Sequence, residues 1–355
     1  SRARAFGAIS AAGGIGAAAG PLVGGIITTA ISWRAAFVVQ ALVVGIIIIQ
    51  SRKIVDPGLQ GEKPAFDIVG TILSATGLFF VVVGILQAST YGWFRASQDF
   101  VIGNTVVIPE GGISPVWLFV LIGAILLIWF FWHIRSMERA GKEPLLHTRM
   151  FQNRTSNLGL ITQNIQWLVL LGLSFVVSVY VQTVRGYNAI ETGLILTPAT
   201  IGILLSSMAA GRLARKYSQA TLIRAGFIVT VAGVFLLLLL VRETSPVLTF
   251  VPGLFLVGLG VGVMLTSSVT VVQSSFPEED QGEISGLSRS VSNLGSSLGV
   301  AIAGTVIVSS LVTGNLGYAL ALVVLVLFAL VGLAAAFMLP VSPVPRSPEP
   351  GPDPA

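Results

Sequence analysis

Long apolar stretches, each with at most one charged residue and that one near an end, recur along this sequence, and they constrain its fold more than any other feature. Each is close to the ~20 residues that a helix needs to cross ~30 Å of hydrocarbon. The stretches are Phe6–Ala30, Trp33–Ile49, Phe66–Gln87, Pro115–Ile134, Asn157–Tyr180, Thr192–Leu213, Thr221–Val241, Val247–Gln273, Ser288–Val312 and Gly317–Leu339. They predict an all-α, polytopic membrane protein with about ten transmembrane helices.

Composition supports a lipid environment and excludes several other classes. Only 10% of the residues are charged and the mean hydropathy is +0.90, whereas a soluble domain carries about a quarter charged residues. The net charge of +5 comes from basic residues in short loops, so we expect no nucleic-acid partner. The absence of Cys excludes thiolate metal sites, and no His, Asp and Glu cluster has ligand spacing. A membrane enzyme is therefore disfavoured, and no metal or cofactor is expected.

Loop charge predicts the orientation. With the amino end in the cytoplasm, 16 Lys and Arg residues fall on the cytoplasmic side and 4 on the outside. Cytoplasmic loops carry the excess of Lys and Arg in membrane proteins. The count predicts a multi-pass protein with both ends in the cytoplasm, and we expect it in the plasma membrane.

Two segments depart from the helical pattern. Phe100–Ile108 reads FVIGNTVVI, in which two β-branched runs flank Gly103 and Asn104. This favours a short hairpin with a two-residue turn, and an irregular loop is the equal alternative. Residues 340–355 contain seven Pro and are expected to be disordered.

A glycine pattern marks the first apolar stretch. Gly16, Gly20 and Gly24 recur every four residues and form a smooth ridge for close helix packing. Pro21 lacks an amide hydrogen and should kink the helix, and Gly25 adds a further small residue. The combination suits a gating helix that bends against a partner. Simple close packing is the plainer alternative.

These residues resemble a known family. Gly16–Gly25 resembles the antiporter motif, G-x-x-x-G-P-x-x-G-G, in the fifth helix of drug exporters of the major facilitator superfamily. Phe66–Trp93 is similar to the first of two extra central helices in the fourteen-span drug:proton antiporter branch, the EmrB/QacA type. Trp33–Phe37 resembles the W-R-x-x-F that follows the antiporter motif in the family. Further segments that fit the fourteen-span branch are Glu143–Arg154, Tyr180–Tyr187, Thr192–Pro198 and Gly282–Val306.

The resemblance implies that the chain begins at the family's fifth helix and lacks the first four. It would contain the last two helices of an incomplete amino-terminal bundle (1–50), two extra central helices with their loops (51–156), a carboxyl-terminal six-helix bundle (157–339) and the tail (340–355). The implied function is multidrug efflux of small amphipathic substrates by antiport against protons, driven by the proton gradient without a cofactor. Export of a specific metabolite or lipid, and a non-transporting remnant or scaffold, stay open. The oligomeric state, including a monomer, is open as well.

Polar side chains are the candidates for a substrate cavity. Four lie on or beside one face of Asn157–Tyr180, the first helix of the implied carboxyl-terminal bundle. The two threonines come from the eighth apolar stretch, Val247–Gln273. They are Gln163, Gln166, Trp167, Ser174, Thr266 and Thr270. The alternative is that the amides and hydroxyls form hydrogen bonds between helices.

A basic cytoplasmic loop follows the sixth stretch. Gly211, Arg212, Arg215 and Lys216 resemble part of the second copy of the family's cytoplasmic loop motif. Arg215 stands where the family prefers Asp, so the carboxylate that would latch the loop is absent. Anchoring by positive charge is the alternative.

A second ridge occurs late in the chain. Gly295 and Gly299 repeat the four-residue spacing and are predicted to pack closely against another helix.

No acidic residue lies in the interior of an apolar stretch, away from its ends. Asp67 opens the third stretch and Glu191 precedes the sixth. A proton-coupled exporter needs a titratable group in its pathway. We therefore expect that residues 1–355 alone do not perform proton-coupled export, with Asp67 and Glu191 the first candidates if they do.

Overall fold

The structure is a computed structural model that describes residue 20 and residues 23–53, 66–309 and 315–340. In this part of the chain nine helices are long and apolar enough to span a membrane. They are α1 (Trp33–Ser51), α2 (Ile68–Leu86), α3 (Pro115–Arg139), α4 (Arg154–Val179), α5 (Ala189–Leu213), α6 (Gln219–Leu240), α7 (Phe250–Gln273), α8 (Gln281–Ser309) and α9 (Asn315–Met338). The all-α, polytopic prediction is confirmed. Most of the first predicted span, Phe6–Ala30, lies outside the described residues, as does the tail after residue 340.

Side-chain caps set where several helices begin. The Asn153 side chain accepts a hydrogen bond from the backbone nitrogen of Ser156 at 3.1 Å, so α4 starts at Arg154 rather than at Asn157. Asn188 and Glu191 form a reciprocal capping box that starts α5. Such caps satisfy amide groups that have no partner inside the helix.

The largest error in the predicted boundaries concerns α8. This helix begins at Gln281, seven residues before the predicted Ser288, and its first two turns are mainly polar apart from Ile284 and Leu287. An apolar stretch shows where a helix lies in lipid, whereas the helix itself continues beyond the lipid boundary. The same reason extends α3 from the predicted Ile134 to Arg139.

The predicted hairpin is confirmed. Strands β1 (Phe100–Ile102) and β2 (Thr105–Ile108) pair antiparallel, and Ile102 faces Thr105 across a two-residue turn. Gly103 has a φ of +62°, a left-handed conformation that favours glycine. The buried ring of Phe100 packs edge-on against Phe119 of α3, with 5.9 Å between the ring centroids. This contact fixes the hairpin on the amino-terminal end of α3.

Helices α4 to α9 form one bundle around a continuous apolar core. Helix α4 contacts α7, α8 and α9, while α7 also packs against α5 and α6. Fully buried side chains such as Phe227, Val257 and Leu322 fill the centre. This arrangement places α4 in the interior of the bundle, with neighbours on several faces.

Helices α2 and α3 form a separate pair. A Cβ on Gly123 would lie 2.7 Å from the carbonyl oxygen of Gly77, so the two backbones touch through glycine. The pair contacts the bundle mainly through α8. By contrast, no residue of α1 is buried against the described part of the chain.

Candidate functional site

Polar contacts concentrate at the linker between α3 and α4, residues 140–153. The backbone nitrogen of Leu145 donates to the Asp67 carboxylate at 3.2 Å. Both the backbone nitrogen and the hydroxyl of Thr148 donate to Glu138, each at 2.6 Å. These three hydrogen bonds tie the linker to the helix pair from which it emerges.

The other side of the linker is bound to α8 and to the turn before it. The backbone nitrogen of His147 donates to Glu283 at 3.0 Å, and its Nδ1 lies 2.8 Å from the same carboxylate. Arg149 forms an ion pair of 2.6 Å with the buried carboxylate of Asp280. Four carboxylates therefore hold residues 145–149 between the α2–α3 pair and the bundle. The fully buried side chain of Met150 adds an apolar anchor.

Asp67 is the most buried of the helix-pair carboxylates. It caps α2 by accepting from the backbone nitrogen of Gly70 at 2.8 Å, and it lies 2.9 Å from Nε2 of His133 on α3. Burial by itself raises the pKa of Asp67, but the hydrogen bonds from Gly70, His133 and Leu145 outweigh it and hold the pKa below its ordinary value. Asp67 is thus an ionised structural cap that joins three segments.

A cavity of about 580 Å³ opens beneath the linker, between α2, α3 and α8. Its walls are mainly apolar, and Glu283 is the charged residue among those that line it. Residues that line it include Leu78, Phe130, Phe131, Phe151, Glu283 and Gly286. The volume is within the range of pockets that bind small molecules, about 300–1,000 Å³.

The two candidate cavity glutamines lie elsewhere. Gln163 is 3% exposed, and its amide nitrogen donates to the hydroxyls of Ser288 at 2.8 Å and Ser292 at 2.7 Å on α8. Gln166 is fully buried, with its amide 3.0 Å from the hydroxyl of Ser268 on α7. The structure therefore gives both amides the interhelical role that the sequence left as the alternative. The reason is the interior position of α4, whose polar face meets α7 and α8.

The remaining candidates for the substrate cavity are half-buried. Trp167 and Ser174 lie on α4, and Thr266 and Thr270 lie on α7. The Thr270 hydroxyl donates to the Thr266 carbonyl of its own helix at 2.8 Å. Their part in a cavity stays a prediction.

The basic loop motif is exposed. Gly211, Arg212, Arg215 and Lys216 all lie at the surface, and none takes part in the ion pairs found among the described residues. The neighbouring Arg224 has a specific role that sequence analysis missed. Its guanidinium donates to three carbonyl oxygens at the end of α9, those of Ala336 at 2.9 Å, Phe337 at 3.2 Å and Leu339 at 2.8 Å.

The glycine positions differ in what they contact. A Cβ on Gly295 would meet the backbone oxygen of Asn164, and one on Gly299 would meet that of Leu168, so both glycines lie directly against α4. In the first motif, a Cβ on Gly25 would lie 2.7 Å from the backbone oxygen of Ala189, where α5 begins. A Cβ on Gly20 or Gly24 meets nothing within 4 Å, and Gly16 and Pro21 lie outside the described residues.

Comparison with known families decides the classification. The profile of the Major Facilitator Superfamily matches residues 68–300, about two thirds of the chain. The chain belongs to the Major Facilitator Superfamily. The match covers both the α2–α3 pair and most of the six-helix bundle.

Several curated relatives of this superfamily member are named as exporters or resistance proteins. It is 28% identical to the "Probable actinorhodin transporter" of Streptomyces coelicolor, over 85% of this chain and 50% of the relative. It is 26% identical to the "Multidrug resistance protein Stp" of Mycobacterium tuberculosis, over 86% and 52%. It is 28% identical to the "Multidrug transporter protein MdtP" of Bacillus subtilis, over 86% of this chain and 52% of the relative. The chain spans about half the length of these relatives.

Proposed function

We propose that this chain is part of a drug-efflux transporter that exports small amphipathic molecules across the plasma membrane in exchange for protons. The observation that carries the proposal is the α2–α3 pair, which precedes a six-helix bundle in a superfamily member whose relatives are named for multidrug and antibiotic resistance. An extra central pair is the feature by which the sequence resembles the fourteen-span branch. On that resemblance, the chain contributes ten of the fourteen helices.

We place both ends of the chain in the cytoplasm, because 16 basic residues fall on that side and 4 on the other. In this orientation the α3–α4 linker and the mouth of the cavity beneath it face the cytoplasm. An exporter takes its substrate from the cytoplasm or from the inner leaflet, so this is the side on which a substrate would first meet the protein.

Neither of the first candidates for proton coupling is free for that role. Asp67 caps α2 and its pKa is lowered, so it stays ionised at neutral pH. Glu191 accepts a hydrogen bond of 2.8 Å from the backbone nitrogen of Asn188 in the capping box of α5. In the described helices every carboxylate lies in a first or last turn. The proposal therefore assigns proton coupling to a group outside these helices.

Efflux from living cells tests the proposal. The protein, expressed as its own gene encodes it, should lower ethidium retention in a host that lacks its major efflux pumps. A protonophore should abolish the difference. Equal retention with and without the protein, at verified membrane expression, would contradict drug efflux and favour the scaffold alternative. Efflux of a single compound class would favour the specific exporter.

A further inference from the structure

We propose that the cavity between α2, α3 and α8 is a binding site for an amphipathic aromatic cation, with the charged group beside Glu283 and the rings among phenylalanines. The site would lie at the contact between the extra helix pair and the bundle, away from the face of α4 that carries Gln163 and Gln166. This inference rests on the proposed function, since it names where an exported molecule would first bind.

Small residues on α8 leave the space open. Gly282, Gly286 and Ser290 recur every four residues and all line the cavity. A Cβ on Gly282 or Gly286 would meet nothing within 4 Å. One turn further along the same helix, Gly295 and Gly299 lie against the α4 backbone. One face of α8 thus borders a cavity of about 580 Å³, while another face of the same helix packs against α4.

Aromatic side chains form the opposite wall. Phe130 and Phe131 come from α3, and Phe151 comes from the short helical turn Thr148–Phe151 within the linker. The rings of Phe131 and Phe151 meet edge-to-face, with 6.1 Å between their centroids. Aromatic faces attract both flat apolar rings and cations, because the ring face carries partial negative charge.

The charge at the cytoplasmic end selects the ligand. Glu283 is the charged group that lines the cavity, and its side chain is 25% exposed while it is held by His147. The adjacent Asp280 is neutralised by Arg149, whereas Asp67 and Glu138 add further negative charge around the linker. With no Lys or Arg among the described lining residues, an anionic headgroup would be repelled. A monovalent cation complements this charge.

The length of the cavity fits the same ligand. The lining residues on α8 extend from Gly282 to Leu294, which corresponds to roughly 18 Å at about 1.5 Å per residue. Ser74 and Ser290 provide hydroxyl groups in an otherwise apolar wall. A molecule with one charged end and a flat apolar body can therefore extend from the cytoplasmic mouth into the depth of the membrane.

Ethidium binding to the purified protein in lipid nanodiscs, followed by fluorescence anisotropy, tests the site. Glu283→Gln removes the charge, and Gly286→Leu fills the space without a backbone collision. We expect each variant to weaken the Kd for ethidium by about tenfold. The matched controls are Glu279→Gln, an exposed carboxylate one turn before Glu283, and Gly45→Leu, a mid-helix glycine whose Cβ also meets nothing within 4 Å. Both controls should bind like the wild type.

A neutral aromatic probe, N-phenyl-1-naphthylamine, separates charge from shape. We expect Gly286→Leu to weaken the binding of both probes, and Glu283→Gln to weaken the binding of ethidium alone. Equal weakening of both probes by Glu283→Gln would mean that releasing the linker, not removing the charge, caused the loss, and would overturn the proposed role of Glu283. Wild-type affinity in both variants would overturn the site while the proposed function stands. No ethidium binding by the wild type would overturn both.

Discussion

His147 and Glu283 are joined by two contacts, one from the backbone nitrogen to Oε2 at 3.0 Å and one between Nδ1 and Oε1 at 2.8 Å. The residues are 136 positions apart in the chain. The pair therefore connects the linker that leaves the α2–α3 pair directly to the first turn of α8. Because Glu283 also lines the cavity, the same carboxylate connects the two helical units and borders the proposed binding site.

His147→Ala should loosen the linker. The substitution removes the side-chain contact with Glu283 and keeps the backbone hydrogen bond. The loss costs about 1 kcal/mol, so the fraction of molecules in which the linker is detached should rise roughly fivefold. Trypsin cleavage after Lys142 and Arg149 should accelerate by a similar factor in limited proteolysis. Glu279→Gln serves as the control and should cleave at the wild-type rate. Unchanged cleavage in His147→Ala would show that the remaining contacts hold the linker by themselves.

Asp67→Asn should destabilise the protein in a pH-dependent manner. The lowered pKa means that the ionised carboxylate stabilises the fold at pH values above its ordinary 3.8, and that this stabilisation is lost as the pH falls through the lower folded value. At pH 7 we expect the variant to be about 1–2 kcal/mol less stable. Thermal unfolding in detergent between pH 7 and pH 3 should show the two proteins converging at the acid end. A difference independent of pH would contradict the assignment.

Gly299→Leu should disrupt the contact between α8 and α4. The new side chain would collide with the backbone oxygen of Leu168, and overpacking of this kind costs about 1–3 kcal/mol or more. Gly45→Leu is the control, because a Cβ on Gly45 meets nothing within 4 Å in the part of the chain that the structure describes. Melting temperatures in detergent should fall for the first variant and stay within about a degree of wild type for the second. Similar values for both would mean that the helices can separate at little cost.

Arg224→Met should weaken the attachment of α9 to α6. The methionine keeps part of the apolar stem but leaves three carbonyl oxygens without their charged donor, at a cost of about 2–3 kcal/mol. Arg215→Met removes the same charge from an exposed position and should change stability by less than about 0.5 kcal/mol. Denaturant titration measures the free energy of unfolding of both variants. Equal stabilities would contradict the capping role of Arg224.

Hydropathy predicted the helices well because a membrane span needs both length and apolar content. The hairpin at Gly103 was also predictable, since a two-residue turn has strong local preferences. The same criterion, apolar content, predicts the start of α8 at Ser288, whereas the helix begins at Gln281. Apolar content marks the lipid boundary and carries no information about polar turns beyond it.

The functional contacts were harder to predict because they join distant parts of the chain. Periodicity placed Gln163 and Gln166 on one face of α4, but only packing shows that this face meets α7 and α8. Glu283 lies 136 residues from His147, and Arg224 lies 112 residues from Ala336. No local pattern connects such pairs. The cavity beneath the linker is formed by α2, α3 and α8 together with the linker, which are far apart along the chain, so no local pattern predicts it.

Proton-driven transport by the purified protein is the most direct test of drug efflux by proton antiport. The protein, as its own gene encodes it, is reconstituted in proteoliposomes with an imposed pH gradient and external ethidium. We expect ethidium to accumulate in the liposome lumen, carried by protein molecules whose cytoplasmic face points outward. The accumulation should occur only when the lumen is acidic and should be lost when nigericin collapses the gradient. Accumulation no greater than in protein-free liposomes, or accumulation that is the same with and without the gradient, would contradict efflux by proton antiport.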